Sequence, residues 1–413
     1  MGARRALPYV LLAVVLFVST ASRTFRLDQP CDESCAAGGP SSLIFDEAYY
    51  VNAARRIAGR PTAADPAGYG AAPAHTDPNA EHPQLAKLVM AAGIVLIGDR
   101  ALGYRMGSVA AGTAALALLF GVVRAAGGSP WTAVAATAVL AVDNLFLVHG
   151  RIATLDIYVL AFVLGGVLLY LRERPLLAGL VLGVGATTKV VGIYALFILG
   201  LLETGRWLVR KHRPGAIESL AACIVATLAS YGVALEILDL AVPAYAGHRI
   251  GDAAAHTRYM LDYARDLTTG GHAGGIVSAP WSWLIGRGEI PYLTVATPGH
   301  APQVAFRGAV NPFLLYATAP ALAVAAWRAW RRGEDVDLLA LAWFAGTMGP
   351  FALQAGFQHR ITYLYYMLLA LPGICIAAVR LFSRGGLVRV AAVAWGVGLV
   401  IGAIDLFPFR TLL

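Results

Sequence analysis

The stretch IFDEAYYVNAARRI places two adjacent carboxylates, Asp46 and Glu47, beside two tyrosines in a chain that is 58% hydrophobic. An acidic pair can begin a helix, because negative side chains at a helix N-terminus interact favourably with the backbone dipole. A carboxylate in such a setting can also act as a general base that removes a proton from a hydroxyl nucleophile. The pair alone does not distinguish these two interpretations.

A second polar segment, EHPQLAKLVM, occupies residues 81–90. Its proline predicts a helix start, so that Glu81 and His82 lie in the cap region and Lys87 in the first turns. His82 could carry a proton, contact a phosphate or bind a metal. A polar loop that leads into an interfacial helix explains the same residues equally well.

Several cations interrupt apolar segments further along the chain, among them Arg105, Arg151, Lys189 and Arg360. A cation beside hydrocarbon needs an anionic partner, either a carboxylate or a lipid phosphate. Arg151 and Asp156 bracket a short turn, where an ion pair between them would serve as well as a ligand. Together the cations indicate a phosphate held at the outer interface, with a nearby carboxylate that acts as base.

A membrane-embedded helical scaffold must position these residues. Only 14% of the 413 residues are charged, and many apolar runs are about 16 to 24 residues long, enough to cross a bilayer core of roughly 30 Å. A soluble globular protein is excluded. The net charge of +8 therefore reports topology rather than nucleic-acid binding.

We predict an all-α polytopic membrane protein, 1–413 as a single domain, with about eleven transmembrane helices, because helices satisfy their own backbone hydrogen bonds in lipid. The predicted spans are 7–23, 102–124, 131–148, 155–171, 175–188, 190–205, 218–238, 309–328, 337–356, 361–380 and 387–405. The first is interpreted as a retained signal anchor. The apolar segment 84–98 is assigned as an interfacial helix.

The distribution of basic residues predicts the orientation. With the N-terminus in the cytoplasm, the clusters RWLVRKHR at 206–213 and RAWRR at 328–332 fall inside, as the positive-inside rule requires. Two long segments, 24–101 and 239–308, then lie outside together with the conspicuous polar residues. This layout predicts one extracytoplasmic active site.

Other residues of the two external segments have uses that the sequence leaves open. Cys31 and Cys35 could form a local disulfide. The acids and histidine of the second segment are too generically spaced to assign a metal site. Its aromatic residues could anchor the membrane interface or stack on a sugar. These second-segment residues are Asp252, His256, Asp262, Trp281, Trp283 and Tyr292.

The order of the motifs resembles the protein O-mannosyltransferase family and, more distantly, the aminoarabinose transferases that act on lipid A. The motifs are FDEAYY, EHPQLAK, GYRMGSVAAG, HGRIATLDIYVLAF, GATTKVVGIYAL, APWSWLI, GAVNPFLL and HRITYLYYMLLALP, which together span residues 44 to 380. Both groups are GT-C glycosyltransferases that use polyprenyl-phosphate sugars. HPQ replaces the usual double proline, and the large external insertion of eukaryotic members is missing.

The resemblance implies an inverting transfer of a sugar, typically mannose, from a polyprenyl-phosphate donor to a Ser/Thr hydroxyl of a secreted protein. Asp46 matches the general base and Glu47 an adjacent positioning residue, and a single base suits one-step inversion. We therefore assign catalysis to Asp46 and Glu47. The predicted donor and substrate site comprises Glu81, His82, Lys87, Arg105, Arg151, Asp156, Lys189, His359 and Arg360.

Some features of the reaction stay open at this point. No metal cofactor is assigned, although some relatives use a divalent ion, and dimerisation is left open. The acceptor could instead be a lipid or a cell-envelope glycan. A flippase for isoprenoid-linked sugars is the alternative from another class, but the sequence shows no internal repeat. The composition and compact length suggest a bacterial plasma-membrane protein.

Overall fold

The computed structural model describes residues 3–30, 43–269, 276–286, 288–295, 303–383 and 387–408. Within these residues the fold is helical, apart from one antiparallel hairpin of strands β1 (Ile290–Val295) and β2 (Gln303–Gly308). The helical architecture was predicted, whereas the hairpin is an addition to it. Its strands contain Val, Thr, Phe and Tyr, the β-branched and aromatic types that favour extended structure.

The helices follow the predicted spans closely in position. Helices α1 to α8 are Ala3–Thr24, Glu47–Ile57, Leu85–Leu96, Ala101–Ala125, Pro130–Ala141, Asn144–His149, Asp156–Leu171 and Pro175–Ala186. Helices α9 to α16 are Tyr194–Leu208, Ala216–Ala241, Ala253–Asp266, Pro280–Trp283, Pro312–Arg332, Asp335–Phe357, Leu371–Leu381 and Leu387–Asp405. Short 3₁₀ turns occupy Tyr69–Ala71, Val190–Ile193 and Leu364–Leu369.

Five of the described helices are long and apolar enough to cross a membrane by themselves. They are Arg5–Thr24, Ala101–Ala125, Val190–Leu208, Ala216–Ala241 and Asp335–Phe357. Other apolar helices, such as Asp156–Leu171 and Pro175–Ala186, are shorter. The count of eleven spans therefore stays a prediction.

Two predicted spans are broken rather than continuous. The span 131–148 divides into α5 and α6, because the buried Asp143 accepts a hydrogen bond from the Phe146 N–H and starts a new helix. The span 361–380 begins as an irregular segment and a 3₁₀ turn, and α15 starts only at Leu371, one residue before Pro372. Hydropathy did not reveal either break, since both segments are predominantly apolar.

Small residues allow α8 and α10 to pack closely. A Cβ added at Gly183 would lie 1.9 Å from the Ser230 Oγ and 2.4 Å from the Thr227 carbonyl oxygen. Helices in membranes associate through such small residues because their backbones must approach to gain van der Waals contact. This packing fixes the turn after α8, where Lys189 lies.

Candidate active site

A cavity of about 680 Å³ lies between the predicted first external segment, the turn after α8, helix α11 and the end of α14. Its volume is in the range of small-molecule sites. One part of its wall is polar, formed by Asp46, Asn79, Glu81, His82, Lys189 and Arg360. Another part of its lining is apolar and includes Val190, Val191, Ile193, Phe197, Leu261 and Leu267.

Asp46 occupies the N-cap position of α2, yet its side chain makes no capping hydrogen bond in the described structure. The acidic pair does begin a helix, as the sequence allowed, but the Asp46 side chain lines the cavity rather than capping the helix by a hydrogen bond. Burial raises the pKa of Asp46 to about 7, with Lys189 lowering it and Asp156 raising it. A carboxyl group with this pKa exchanges a proton near neutral pH, as a general base must.

Glu47 is fully buried and forms a bidentate ion pair with Arg105. Its two carboxylate oxygens each lie 2.7 Å from a guanidinium nitrogen. Glu47 also accepts hydrogen bonds from the backbone N–H groups of Ile44, at 3.2 Å, and Ala153, at 2.8 Å. Glu47 thereby ties the backbone beside Asp46 to the turn after α6.

Three of the predicted substrate-binding cations are placed away from the lining of the cavity in the described structure. Arg105 pairs with Glu47, and Lys87 with Asp77 at 2.6 Å. Arg151 donates to the backbone carbonyls of residues 25, 26 and 29 at 2.7 to 3.1 Å. Each of these cations has the anionic or carbonyl partner that burial demands.

Lys189 lines the cavity and pairs with Asp156, its Nζ 2.7 Å from Oδ1. Of the two alternatives left open for Arg151 and Asp156, the structure does not form the ion pair between them, because Asp156, in the first turn of α7, pairs with the Lys189 ammonium. The Nζ also lies 5.1 Å from the ring centroids of Tyr365 and Tyr366. These contacts hold the ammonium at the cavity wall.

Arg360 also lines the cavity, held from one side by α14. Its Nη1 donates to the Gln354 Oε1 at 2.7 Å, and the Gln354 Nε2 donates to the Tyr194 hydroxyl at 2.9 Å. The Arg360 Nε is buried and has no hydrogen-bond partner within the described structure. His359 is exposed and does not line this cavity as described.

Glu81 and His82 both lie in the cavity wall. The Glu81 Oε1 accepts hydrogen bonds from the Asn79 Nδ2 at 2.7 Å and the Tyr69 hydroxyl at 3.3 Å, and burial raises the pKa of Glu81. Burial, with the nearby Lys189, lowers the pKa of His82 well below its usual value. His82 is therefore a neutral imidazole, suited to hydrogen bonding rather than to charge pairing.

The residues considered for a metal do not come together, and no group of three or more possible ligands occurs among the described residues. Asp252 caps α11, Asp262 pairs with Arg265 on the surface, and His256 is buried against Asp239. Cys31 and Cys35 lie outside the described residues.

The aromatic residues of the second external segment divide between surface and core. Trp281 is exposed, whereas Trp283 and Tyr292 are buried outside the cavity lining.

Three residues that contact the candidate site residues were not predicted from the sequence. They are Asp77, Asn79 and Gln354. The one signal that could have identified Asp77 is that Lys87, once buried, needs an anionic partner.

Several known proteins have sequences similar to this chain. A family model described as dolichyl-phosphate-mannose-protein mannosyltransferase matches residues 90–242. Polyprenol-phosphate-mannose–protein mannosyltransferases of Mycobacterium tuberculosis and Mycolicibacterium smegmatis are each 23% identical to this chain. The alignments cover 83% and 85% of the chain and 79% and 81% of those proteins. The predicted resemblance is confirmed.

Solved structures share the fold. The Saccharomyces cerevisiae protein O-mannosyltransferase Pmt1–Pmt2 complex, bound to its sugar donor, matches with a TM-score of 0.69 at 13% identity, over 97% of this chain and 90% of that one. The Cupriavidus metallidurans ArnT bound to undecaprenyl phosphate matches with a TM-score of 0.55 at 16% identity, over 97% and 63%. The predicted GT-C fold is therefore confirmed.

Proposed function

We propose that this relative of the protein O-mannosyltransferases transfers mannose from a polyprenyl-phosphate donor to a Ser or Thr hydroxyl of a protein. The observation that carries the proposal is that Asp46, Lys189 and Arg360 line the same cavity. The names of the curated relatives, which act on proteins with polyprenol-phosphate-mannose, support the donor and the acceptor.

Lys189 and Arg360 are assigned to the donor phosphate. An isoprenoid phosphate is a good leaving group once cations neutralise the charge that develops on it. Asp156 uses one N–H of the Lys189 ammonium, which has three donors in total, and the Arg360 Nε has no partner in the described structure. The apolar wall around Ile193 and Phe197 suits the prenyl chain.

Asp46 is assigned as the general base. The acceptor hydroxyl oxygen forms a bond to the sugar C1 while the bond from C1 to the phosphate oxygen breaks, and the hydroxyl proton passes to Asp46. One base suffices for this inverting step, since no covalent sugar–enzyme intermediate is formed. Glu47 is a positioning residue because it contacts Arg105 and the backbone rather than the cavity.

Glu81 and His82 are assigned to the sugar or the acceptor, because they line the cavity with Asp46. Lys87, Arg105 and Arg151 act indirectly, through the loops that they hold. We place the site on the outer face of a bacterial plasma membrane, with the N-terminus inside, as the distribution of basic residues predicts. The single-domain assignment and the two external segments belong to the same proposal.

Purified protein supplied with radiolabelled polyprenyl-phosphate mannose tests the function. With a threonine-containing peptide, we expect mannosyl peptide and polyprenyl phosphate in equal amounts. In parallel reactions, a membrane-lipid extract and cell-wall glycan replace the peptide. Transfer to lipid or glycan but not to peptide would contradict the protein acceptor, and the absence of any transfer would contradict the enzyme assignment.

A further inference from the structure

Phe45, the residue before Asp46, has an unusual backbone conformation. Its φ angle is +52°, in the left-handed region that bulky residues seldom adopt without support from their surroundings. The Phe45 ring packs edge-on against Tyr292, at a centroid distance of 4.6 Å, and against Tyr365, at 5.7 Å. These two rings hold Phe45 in place.

Tyr292 is itself fixed by a buried hydrogen bond. Its hydroxyl lies 2.6 Å from the Nε2 of His149, which is fully buried at the end of α6. The other ring nitrogen of His149, Nδ1, lies 2.9 Å from the Thr154 Oγ1. Gly308 on β2 leaves room for the Tyr292 ring, because a Cβ there would lie 2.2 Å from the ring carbon Cε2.

Both neighbours of Asp46 are thus tied to the segment 149–154. Phe45 is linked to it through Tyr292 and His149, and Glu47 through the Ala153 N–H. Asp46 occupies an N-cap position, where an aspartate normally accepts a hydrogen bond from the second or third backbone N–H of the helix. In the described structure that bond is not made.

We propose that Tyr292 and His149 are positioning residues for the general base, an inference that rests on the proposed function. Their hydrogen bond holds Phe45 in its left-handed conformation, and this conformation directs the Asp46 carboxylate into the cavity. Without the bond, Phe45 relaxes and Asp46 turns to cap α2. The β-hairpin of the second external segment thereby positions Asp46 in the first external segment.

The variant Tyr292→Phe keeps the aromatic ring and removes only the hydroxyl. We expect kcat to fall about tenfold or more, because a misplaced base loses most of its effect, while the donor KM changes by less than about twofold. The acid limb of the kcat–pH profile shifts to lower pH by about one unit, because a capping N–H stabilises the carboxylate. Tyr316→Phe, on the exposed face of α13, is the matched control.

His149→Leu removes the hydrogen bond between Tyr292 and His149 by replacing the histidine. This variant is the alternative test if Tyr292→Phe does not fold. The double variant should lose no more activity than the more impaired single variant, since the two residues act as one unit. Unchanged kcat and an unchanged acid limb in either folded single variant would overturn the inference. Additive losses in the double variant would also overturn it.

A spectroscopic titration separates this inference from the proposed function. The carboxyl band of Asp46, assigned by infrared difference spectra against Asp46→Asn, reports its protonation without turnover. We expect its midpoint to lie at lower pH in Tyr292→Phe than in the unaltered protein. An unchanged midpoint contradicts positioning by Tyr292, whatever the transfer assay shows. If the unaltered protein transfers no mannose, only the proposed function is contradicted.

Discussion

At the residue scale, the raised pKa of Asp46 predicts how activity responds to pH if Asp46 acts as proposed. In the proposed mechanism Asp46 is the general base and must be ionised, so we expect its protonation to remove activity as the pH falls through about 7. We expect log kcat to rise with a slope of about one below this pH and to level off above it. Initial rates in overlapping buffers from acidic to alkaline pH measure this limb. A rate that is independent of pH between 5 and 8 would contradict the assignment.

The same raised pKa predicts the effect of Asp46 on stability. A carboxyl whose pKa is higher in the folded state than in the unfolded state destabilises the fold when it ionises, so stability falls as pH rises from about 4 to 7. Asp46→Asn should therefore raise the unfolding free energy by about 1 to 3 kcal/mol at pH 8 and by less at pH 5. Thermal unfolding in detergent at both pH values measures the difference. If Asp46→Asn changes the unfolding free energy equally at the two pH values, or more at pH 5, burial does not destabilise the ionised Asp46 carboxylate.

Lys189 should be required for use of the donor. We expect Lys189→Ala to lower kcat/KM for the donor by about 100-fold, because an unscreened leaving phosphate is poorly stabilised. Lys189→Arg should recover part of this loss, since the positive charge is kept. Lys211→Ala, which removes an exposed lysine elsewhere in the chain, is the control. Full activity of Lys189→Ala would contradict the assignment of Lys189 to the donor phosphate.

Residue types indicated the chemistry of the site better than its contacts. The need of Arg105 and Lys189 for anions was evident from an apolar sequence, but the partners were not. Arg105 finds its carboxylate 58 positions away in the chain, and Lys189 pairs over 33 positions. Such pairings depend on how the helices pack. In an apolar membrane sequence, the hydrophobic periodicity does not show which faces of the helices meet.

At the element scale, the Glu47–Arg105 pair joins α2 to α4. Both side chains are fully buried, so breaking the pair leaves an uncompensated charge, at a cost of about 3 to 5 kcal/mol. We expect Glu47→Gln to lower the melting temperature far more than Asp99→Asn, which breaks the pair of Arg55 with a partly exposed carboxylate. Comparable losses in the two variants would show that burial does not set the strength of this link.

Close packing of α8 against α10 gives a second prediction at this scale. Gly183→Ala should destabilise the protein by about 1 to 3 kcal/mol, because its Cβ meets the Ser230 side chain and the α10 backbone. Gly232→Ala should be neutral or stabilising, since no atom of the described structure lies within 4 Å of the added Cβ. Melting temperatures of the two variants in one detergent provide the comparison, and equal values would contradict the packing.

Helix positions were predictable because long apolar runs specify membrane helices. The breaks at Asp143 and before Leu371 were not, since a buried cap and an irregular segment retain an apolar composition. The β-hairpin was also missed. Its Tyr292 was assigned only to the interface or to a sugar, whereas it bonds to His149 in the core.

At the scale of the whole molecule, the predicted orientation places the cavity on the outer face. After Cys31 and Cys35 are replaced by serine, Ala67→Cys should react with an impermeant maleimide on intact cells. Lys211→Cys should react only after lysis, because basic clusters face the cytoplasm. Both positions are exposed in the structure, whereas the native Cys223 and Cys375 are buried. The reverse labelling pattern would invert the topology.

The central claim is that Asp46 removes the proton from the acceptor hydroxyl in a cavity whose cations hold the donor phosphate. The most direct measurement compares single-turnover mannose transfer by the unaltered protein, Asp46→Asn and the exposed control Asp262→Asn, each with donor already bound. We predict a loss of about 1,000-fold or more for Asp46→Asn, since general-base catalysis contributes about 10² to 10⁴ in rate. Donor binding should be retained, and Asp262→Asn should be fully active. Undiminished transfer by folded Asp46→Asn would contradict the account.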